Sequence, residues 1–155
     1  MTLREKIPED LKNALRKKNE LELSVLRMLQ AAIRNREIEI KKGKEFLTDE
    51  EVIEVISGEV KRRKEAASEY TKANRNELAD KEKAEVDILM KYMPKQMDEE
   101  EIRLETRSVI DEVNALSLKD VGKVMKSIMP RVKGRADGGL VSRIVREELE
   151  KKETS

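Results

Sequence analysis

Three prolines and six glycines punctuate this chain, and their positions limit its fold more than any other feature. Proline occurs only at Pro8, Pro94 and Pro130, and glycine only at Gly43, Gly58, Gly122, Gly134, Gly138 and Gly139. The intervals between these breakers carry apolar residues at helical spacing, so they read as helices. Charged residues make up 43% of the chain, against about 25% in an ordinary globular protein. With Phe46, Tyr70 and Tyr92 as the aromatic residues and no Trp, the chain cannot fill one large core. Long amphipathic helices with narrow apolar seams suit it better.

The charges nearly cancel, at +1, so only local asymmetry can indicate a partner. The absence of Cys excludes disulfides, a thiol nucleophile and cysteine metal sites, and the absence of His removes the commonest general base and metal ligand. The first residues contain no apolar core segment, and Glu5, Glu9 and Asp10 argue against a transit peptide. No stretch reaches the roughly 18 apolar residues of a membrane span. The resulting expectation is a cytoplasmic protein with no membrane contact, no cofactor and no metal.

A short helix is expected around Pro8 to Lys17, with Pro8 in its first turn. The next runs from about Glu20 to Lys42 on a stripe of Leu21, Val25, Met28 and Ala32, widened by Leu29 and Ile33 and stopped at Gly43. Thr48 and Glu51 form a capping box before a long helix whose stripe is Ile53, Ile56, Val60, Ala67 and Tyr70. That stripe skips a position at Arg63, inside "KRRK", a cluster that reads as a solvated helix face. Asn74 and Asn76 allow a break. A further helix carries Val86, Leu89 and Met93. Residues 1–94 are expected to form a helical hairpin or open bundle.

"MPKQMDEEEI" reads as a boundary, with Asp98 and Glu101 capping the next helix. Three helices fit residues 98–155. Their apolar residues are Ile102, Val109, Ile110 and Val113, then Val121, Val124, Met125 and Ile128 after a Ser117 cap, then Leu140, Val141, Ile144, Val145 and Leu149. The fold class is therefore all-α, an N-terminal helical hairpin or open bundle followed by a C-terminal three-helix bundle.

The C-terminal part is polarised. Between Lys119 and Arg146 the cations are Lys119, Lys123, Lys126, Arg131, Lys133, Arg135, Arg143 and Arg146, and the acids are Asp120 and Asp137. From Asp98 to Glu112 the acids outnumber Arg103 and Arg107. Arg143 and Arg146 can pair with Glu147 and Glu150 one turn on, and Lys123 with Asp120. Lys126, Arg131, Lys133 and Arg135 have few local acids and cluster at the bend "MPRVKGRADGG". Gly134, Gly138 and Gly139 would let a phosphate approach the first amides of the following helix. The alternative is an ordinary turn in which Asp137 caps that helix itself. The basic segment holds no aromatic residue, so stacking on single strands is disfavoured, and contact with the backbone and shape of folded RNA is the expected mode.

The methionines are read as seam filler rather than metal ligands. "DEE" and "DEEE" lack the alternating spacing of a calcium loop. No catalytic triad, phosphate-binding Gly-rich loop or paired-carboxylate setting is present, so no catalytic residue and no metal ligand is assigned.

Four stretches, "LRMLQAAIRNREIE", "LTDEEVIEVISGEVKRRKEAASEY", "ANRNELADKEKAEVDILMKYMPKQMDEEEI" and "KDVGKVMKSIMPRVKGRADGGLVSRIV", resemble in order the GatB/YqeY-domain family, in particular its free-standing YqeY-like members. The resemblance implies an all-α protein with an N-terminal helical part and a C-terminal three-helix tail. In larger relatives this unit is the C-terminal appendage of the B subunit of aspartyl/glutamyl-tRNA amidotransferase, and its tail approaches the outer corner of tRNA. The chemistry there sits in a preceding domain, with ammonia supplied by a separate amidase subunit. A label of carbon–nitrogen ligase with glutamine as amido-N-donor would thus be inherited from those relatives, without a catalytic site in this chain.

The leading expectation is a non-catalytic accessory that binds structured RNA, with tRNA as the expected class. The candidate contacts are Lys119, Lys123, Lys126, Arg131, Lys133, Gly134, Arg135, Gly138, Gly139 and Arg143. The runner-up is a protein–protein adaptor of an amidotransferase-like assembly, using the N-terminal helices. An enzyme that needs a partner ranks last.

Overall fold

A computed structural model describes residues 1–40 and 45–155, and within them the chain is all-α, with helices α1 (Leu3–Arg16), α2 (Glu20–Glu39), α3 (Asp49–Lys72), α4 (Asn76–Met90), α5 (Glu99–Val113), α6 (Val121–Val132) and α7 (Gly138–Thr154). One 3₁₀ turn, Leu118–Asp120, precedes α6. The helices fall into two compact units, Met1–Met93 and Pro94–Ser155. The expected stop at Gly43 lies outside the described residues.

In the first unit α3 packs along α4 and α1 along α2, and α2 also meets α3 and α4. Its core joins Ile7, Val25, Leu26, Leu29, Ile33, Leu47, Val52, Ile56, Val60, Val86 and Leu89. Helix α1 starts earlier than the prolines suggest. Thr2 and Glu5 form a capping box that satisfies the first amides, so the helix begins at Leu3 and Pro8 lies inside it. The seam of α2 is also turned relative to expectation. Val25, Leu26, Leu29 and Ile33 are buried, whereas Met28 is 49% exposed.

The seam of α3 has no gap. Val52, Ile56, Val60, Arg63 and Ala67 are all buried, so Arg63 occupies the position the apolar pattern left empty. Its Nε donates to Glu85 Oε2 at 3.3 Å. Its Nη1 lies 3.6 Å from Glu59 Oε1 and donates to the Glu59 carbonyl at 3.2 Å. Both glutamates are buried as well. "KRRK" is therefore not wholly a solvated face: a buried cation must be paired, and α3 and α4 supply the carboxylates. Glu82, one turn before Glu85 on α4, has its carboxyl pushed up by burial and by the neighbouring Glu85 charge.

Elsewhere in this unit the connections are tied down by polar contacts. Asn74 takes a left-handed conformation, with φ of 58°, and lets the chain turn from α3 into α4. Tyr92, 8% exposed, donates its hydroxyl to Asp10 Oδ2 at 2.6 Å, which fastens the end of α4 to α1. Arg4 bonds Glu37 and lies 4.4 Å from the centre of the Phe46 ring. Thr48 and Glu51 close the capping box of α3.

The second unit is built of α5, α6 and α7, each of which contacts the other two. Ile102, Val109, Ile110, Val124, Ile128, Val132, Val141, Ile144, Val145 and Leu149 form its core. Asp98 caps α5 by accepting from the Glu101 amide at 2.8 Å. Thr106, fully buried between Ile102 and Val109, returns its hydroxyl to the Ile102 carbonyl at 2.7 Å. Asn114 ends α5 in a left-handed conformation. Ser117 caps the 3₁₀ turn rather than α6 itself. Helix α6 continues through Pro130 to the buried Val132, so the bend is shorter than the sequence suggests.

Candidate functional site

The bend between α6 and α7 is a closed turn rather than an open cradle. Gly134 is buried with φ of 78°, the conformation that favours glycine. The backbone amides of Arg135 and Ala136 both return to the Val132 carbonyl. The segment ahead of α5 covers the outside. Gln96 Nε2 donates to the Gly134 carbonyl at 2.9 Å, the Met97 amide donates to the Arg135 carbonyl at 2.8 Å, and Arg135 Nε donates to the Lys95 carbonyl at 3.3 Å.

The first turn of α7 is occupied too. Asp137 Oδ2 accepts from the Leu140 amide at 3.0 Å, placing a carboxylate where an anion would otherwise sit. A Cβ at Gly139 would stand 3.1 Å from that oxygen, and one at Gly138 would only touch Met129. The capped-turn alternative therefore describes this geometry.

The arginines near the bend are engaged. Arg131 forks onto Glu112, with Nη1 at 3.2 Å, and reaches Glu105 at 3.1 Å. Arg135 lies 3.9 Å from Glu101. Arg143 bonds Glu147 at 2.8 Å and lies 3.7 Å from Glu99. Sequence reasoning missed these partners because Glu99, Glu101, Glu105 and Glu112 sit on α5, distant along the chain. Only the Arg143–Glu147 pair, one turn apart, was visible in the spacing.

The lysines are placed differently. Helix α6 carries Lys123, Lys126 and Arg131 and no carboxylate. Lys123 and Lys126 lie one turn apart on α6, Lys119 stands in the 3₁₀ turn just before that helix and Lys133 just after it, and all four are exposed. Among the described residues no ion pair ties Lys119, Lys123 or Lys126; Asp120 is near enough to feel the charge of Lys123. That aspartate is turned back to accept from the Leu116 and Ser117 amides at 2.8 and 3.3 Å.

Gly122 lies beside Lys123, and nothing stands within 4 Å of a Cβ added there. The lysines thus form an exposed cationic run in and beside α6, with one point where backbone can be approached closely. Because alanine fits Gly122 and favours a helix, Gly122→Ala is expected to raise stability by about 0.5–1 kcal/mol. Urea unfolding measures the gain, and a filter-binding assay tells whether the added methyl weakens polyanion binding.

A denser network joins α5 to α7. Arg103 bonds Glu99 at 2.7 Å and Glu147 at 2.5 Å and lies 3.5 Å from Glu148. Glu148 is buried, and Arg107 at 2.5 Å and Lys151 at 3.1 Å also reach it. Burial alone would push the Glu148 carboxyl up, but the hydrogen bonds and charges of Arg107 and Lys151 bring it below the usual range. Arg131 lowers Glu112, Arg103 and Arg143 lower Glu147, and the Leu116 and Ser117 amides lower Asp120.

A carboxylate depressed in the folded state contributes stability that is complete above its unfolded value and is lost as pH falls through the folded one. The urea midpoint, followed by helical circular dichroism, is therefore expected to stay level from about pH 7 to about pH 5 and to fall below about pH 4.5. Glu82, which is raised, runs the other way as a single group.

Among the described residues no group of three or more Asp or Glu is arranged to hold a metal ion, and no helix is long and apolar enough to cross a membrane.

An all-α protein of two helical units, with one acid-free helix presenting a lysine row, is the class that fold and surface define. The chain belongs to the Yqey-like protein family, whose model matches residues 4–149. A protein of Pyrenophora tritici-repentis named "Altered inheritance of mitochondria protein 41, mitochondrial" is 33% identical over 150 residues, covering 92% of this chain and 78% of the relative. Its namesake in Clavispora lusitaniae is 32% identical, covering 77% of this chain and 69% of the relative. A Saccharomyces cerevisiae protein of the same name is 36% identical over 85 residues, covering 54% of this chain and 44% of the relative. These names overturn the cytoplasmic expectation, because they point to the mitochondrion. That expectation rested on the acids among the first residues and on the lack of an apolar membrane span.

Proposed function

We propose that the protein is a non-catalytic accessory that binds structured RNA, with tRNA as its expected class, through the lysine face of α6. The observation that carries this reading is a run of exposed lysines, Lys119 in the 3₁₀ turn and Lys123 and Lys126 on the carboxylate-free α6, none of them in an ion pair among the described residues. Phosphates can be neutralised there without first breaking an internal bond. The second unit contains no aromatic residue, which favours contact with the backbone of folded RNA over base stacking.

The arginines at the bend move to a secondary role in this reading, since each already has a carboxylate partner. Engagement of about three phosphates gives a log–log salt slope of roughly −2 to −3 for binding. Filter binding of bulk tRNA over a salt series tests it. Saturable binding with that slope is expected, and failure to retain tRNA at low salt would reject the reading.

A second reading, the protein–protein adaptor, draws on Met28 and Ile38 of α2, which are 49% and 67% exposed. It predicts a stoichiometric partner that stays bound after nuclease treatment and is released by Ile38→Glu.

A further inference from the structure

Glutamates of α5 hold two of the arginines at the bend. Glu101, Glu105 and Glu112 share one face of α5, and Ser108 fills the place between the last two, donating its hydroxyl to Glu112 at 3.4 Å. Glu101 faces Arg135, and Glu105 and Glu112 both hold Arg131. Glu101 and Glu105 are separated by about 6 Å along the helix axis and Glu112 lies about 10 Å further on, so the three carboxylates form an extended anionic row. A guanidinium forks onto a carboxylate and onto a phosphate in the same way.

The pairs are also exposed. Arg131 is 37% exposed, and Glu105 and Glu112 are 35% and 47% exposed. Exposed pairs of this kind are weak and exchange partners readily.

We infer that this acidic row is an internal stand-in for an RNA strand. Glu101, Glu105 and Glu112 hold Arg135 and Arg131 in the free protein and compete with phosphate for them. The inference rests on the function proposed above and names a regulation of the same surface. The lysines of α6 bind first, and the arginines join only when a polyanion displaces the α5 carboxylates. The row thereby withholds the arginines from any polyanion that does not outcompete the α5 carboxylates for them.

The test compares bulk tRNA binding by the wild-type chain, Glu105→Gln/Glu112→Gln and a charge-matched control, Glu100→Gln/Glu150→Gln, whose acids hold neither arginine. The first pair is expected to raise affinity about fivefold near 0.15 M salt and to steepen the salt slope by about 0.7–0.9, the share of one phosphate. The control should leave the slope unchanged. Adding Arg131→Gln to the first pair should abolish the gain. Should that pair fail to fold, Glu101→Gln, which releases Arg135, reads the same effect.

A gain that survives Arg131→Gln, or that the control reproduces with its slope, overturns the inference. So does an unchanged slope in a wild-type chain that binds tRNA, and this leaves the lysine reading standing. A wild-type chain that binds no tRNA overturns both.

Discussion

Replacing Arg63 with leucine is expected to cost about 3–5 kcal/mol of stability, because it leaves Glu59 and Glu85 buried without their shared cation. Leucine suits the seam of α3 in size and polarity, so apolar burial alone would predict a gain. The opposite sign follows from the carboxylates. Burying an uncompensated charge costs more than a buried methylene returns. Arg62 reaches only Glu59, and from a side chain that is 69% exposed. Replacing Glu59 and Glu85 with methionine and leucine in the same chain should recover much of the loss, since an apolar substitute for a whole buried ion network is often neutral or better. Urea unfolding of the single and triple variants measures both. An unchanged midpoint in Arg63→Leu would contradict the account of this seam.

The second large effect concerns the α6 surface. Neutralising Lys119, Lys123 and Lys126 together with glutamine is expected to lower bulk tRNA affinity about a hundredfold near 0.15 M salt, at roughly fivefold for each phosphate left without its cation. The side chains are exposed and unpaired among the described residues, so their replacement should leave the stability to urea within about 0.5 kcal/mol of wild type. A readout this clean is what the bend arginines cannot offer. Arg131 and Arg143 are joined to carboxylates of α5, so neutralising them frees those acids and changes the local charge in two ways at once.

The all-α class was legible in the sequence because breakers and caps act locally. Thr48 with Glu51, Asp98, and Asp137 before Leu140 each satisfy amides three residues away, a relation that spacing displays directly. The core of the second unit was equally plain, since Val124, Ile128, Val141, Ile144, Val145 and Leu149 are its apolar-periodic residues. Arg63 was not legible. Helical spacing marked its position as part of the seam, but its charge argued for solvent, and the conflict is resolved by Glu59 one turn back together with Glu85 brought in by α4. Pro8 and Pro130 also misled, because a proline stops a helix only where the lost hydrogen bond is not outweighed by packing on both sides.

The candidate surface divides along the same line. The run of lysines in and beside α6 follows from local sequence and was within reach of sequence reasoning, which included each of them but gave more weight to the bend. The engagement of Arg131, Arg135 and Arg143 depends on glutamates brought in by tertiary packing of α5. Acids near in sequence could not anticipate it. Charge clusters in a chain this rich in both signs indicate a surface only after the long-range partners have been placed.

The most direct measurement of the central claim is the salt dependence of bulk tRNA binding, determined side by side for the wild-type chain and for Lys119→Gln/Lys123→Gln/Lys126→Gln. The account predicts a log–log slope of roughly −2 to −3 for the wild type and a slope shallower by about 2 once the three lysines are gone. Equal slopes in the two proteins would show that the lysine face of α6 meets no phosphate, and would contradict the account.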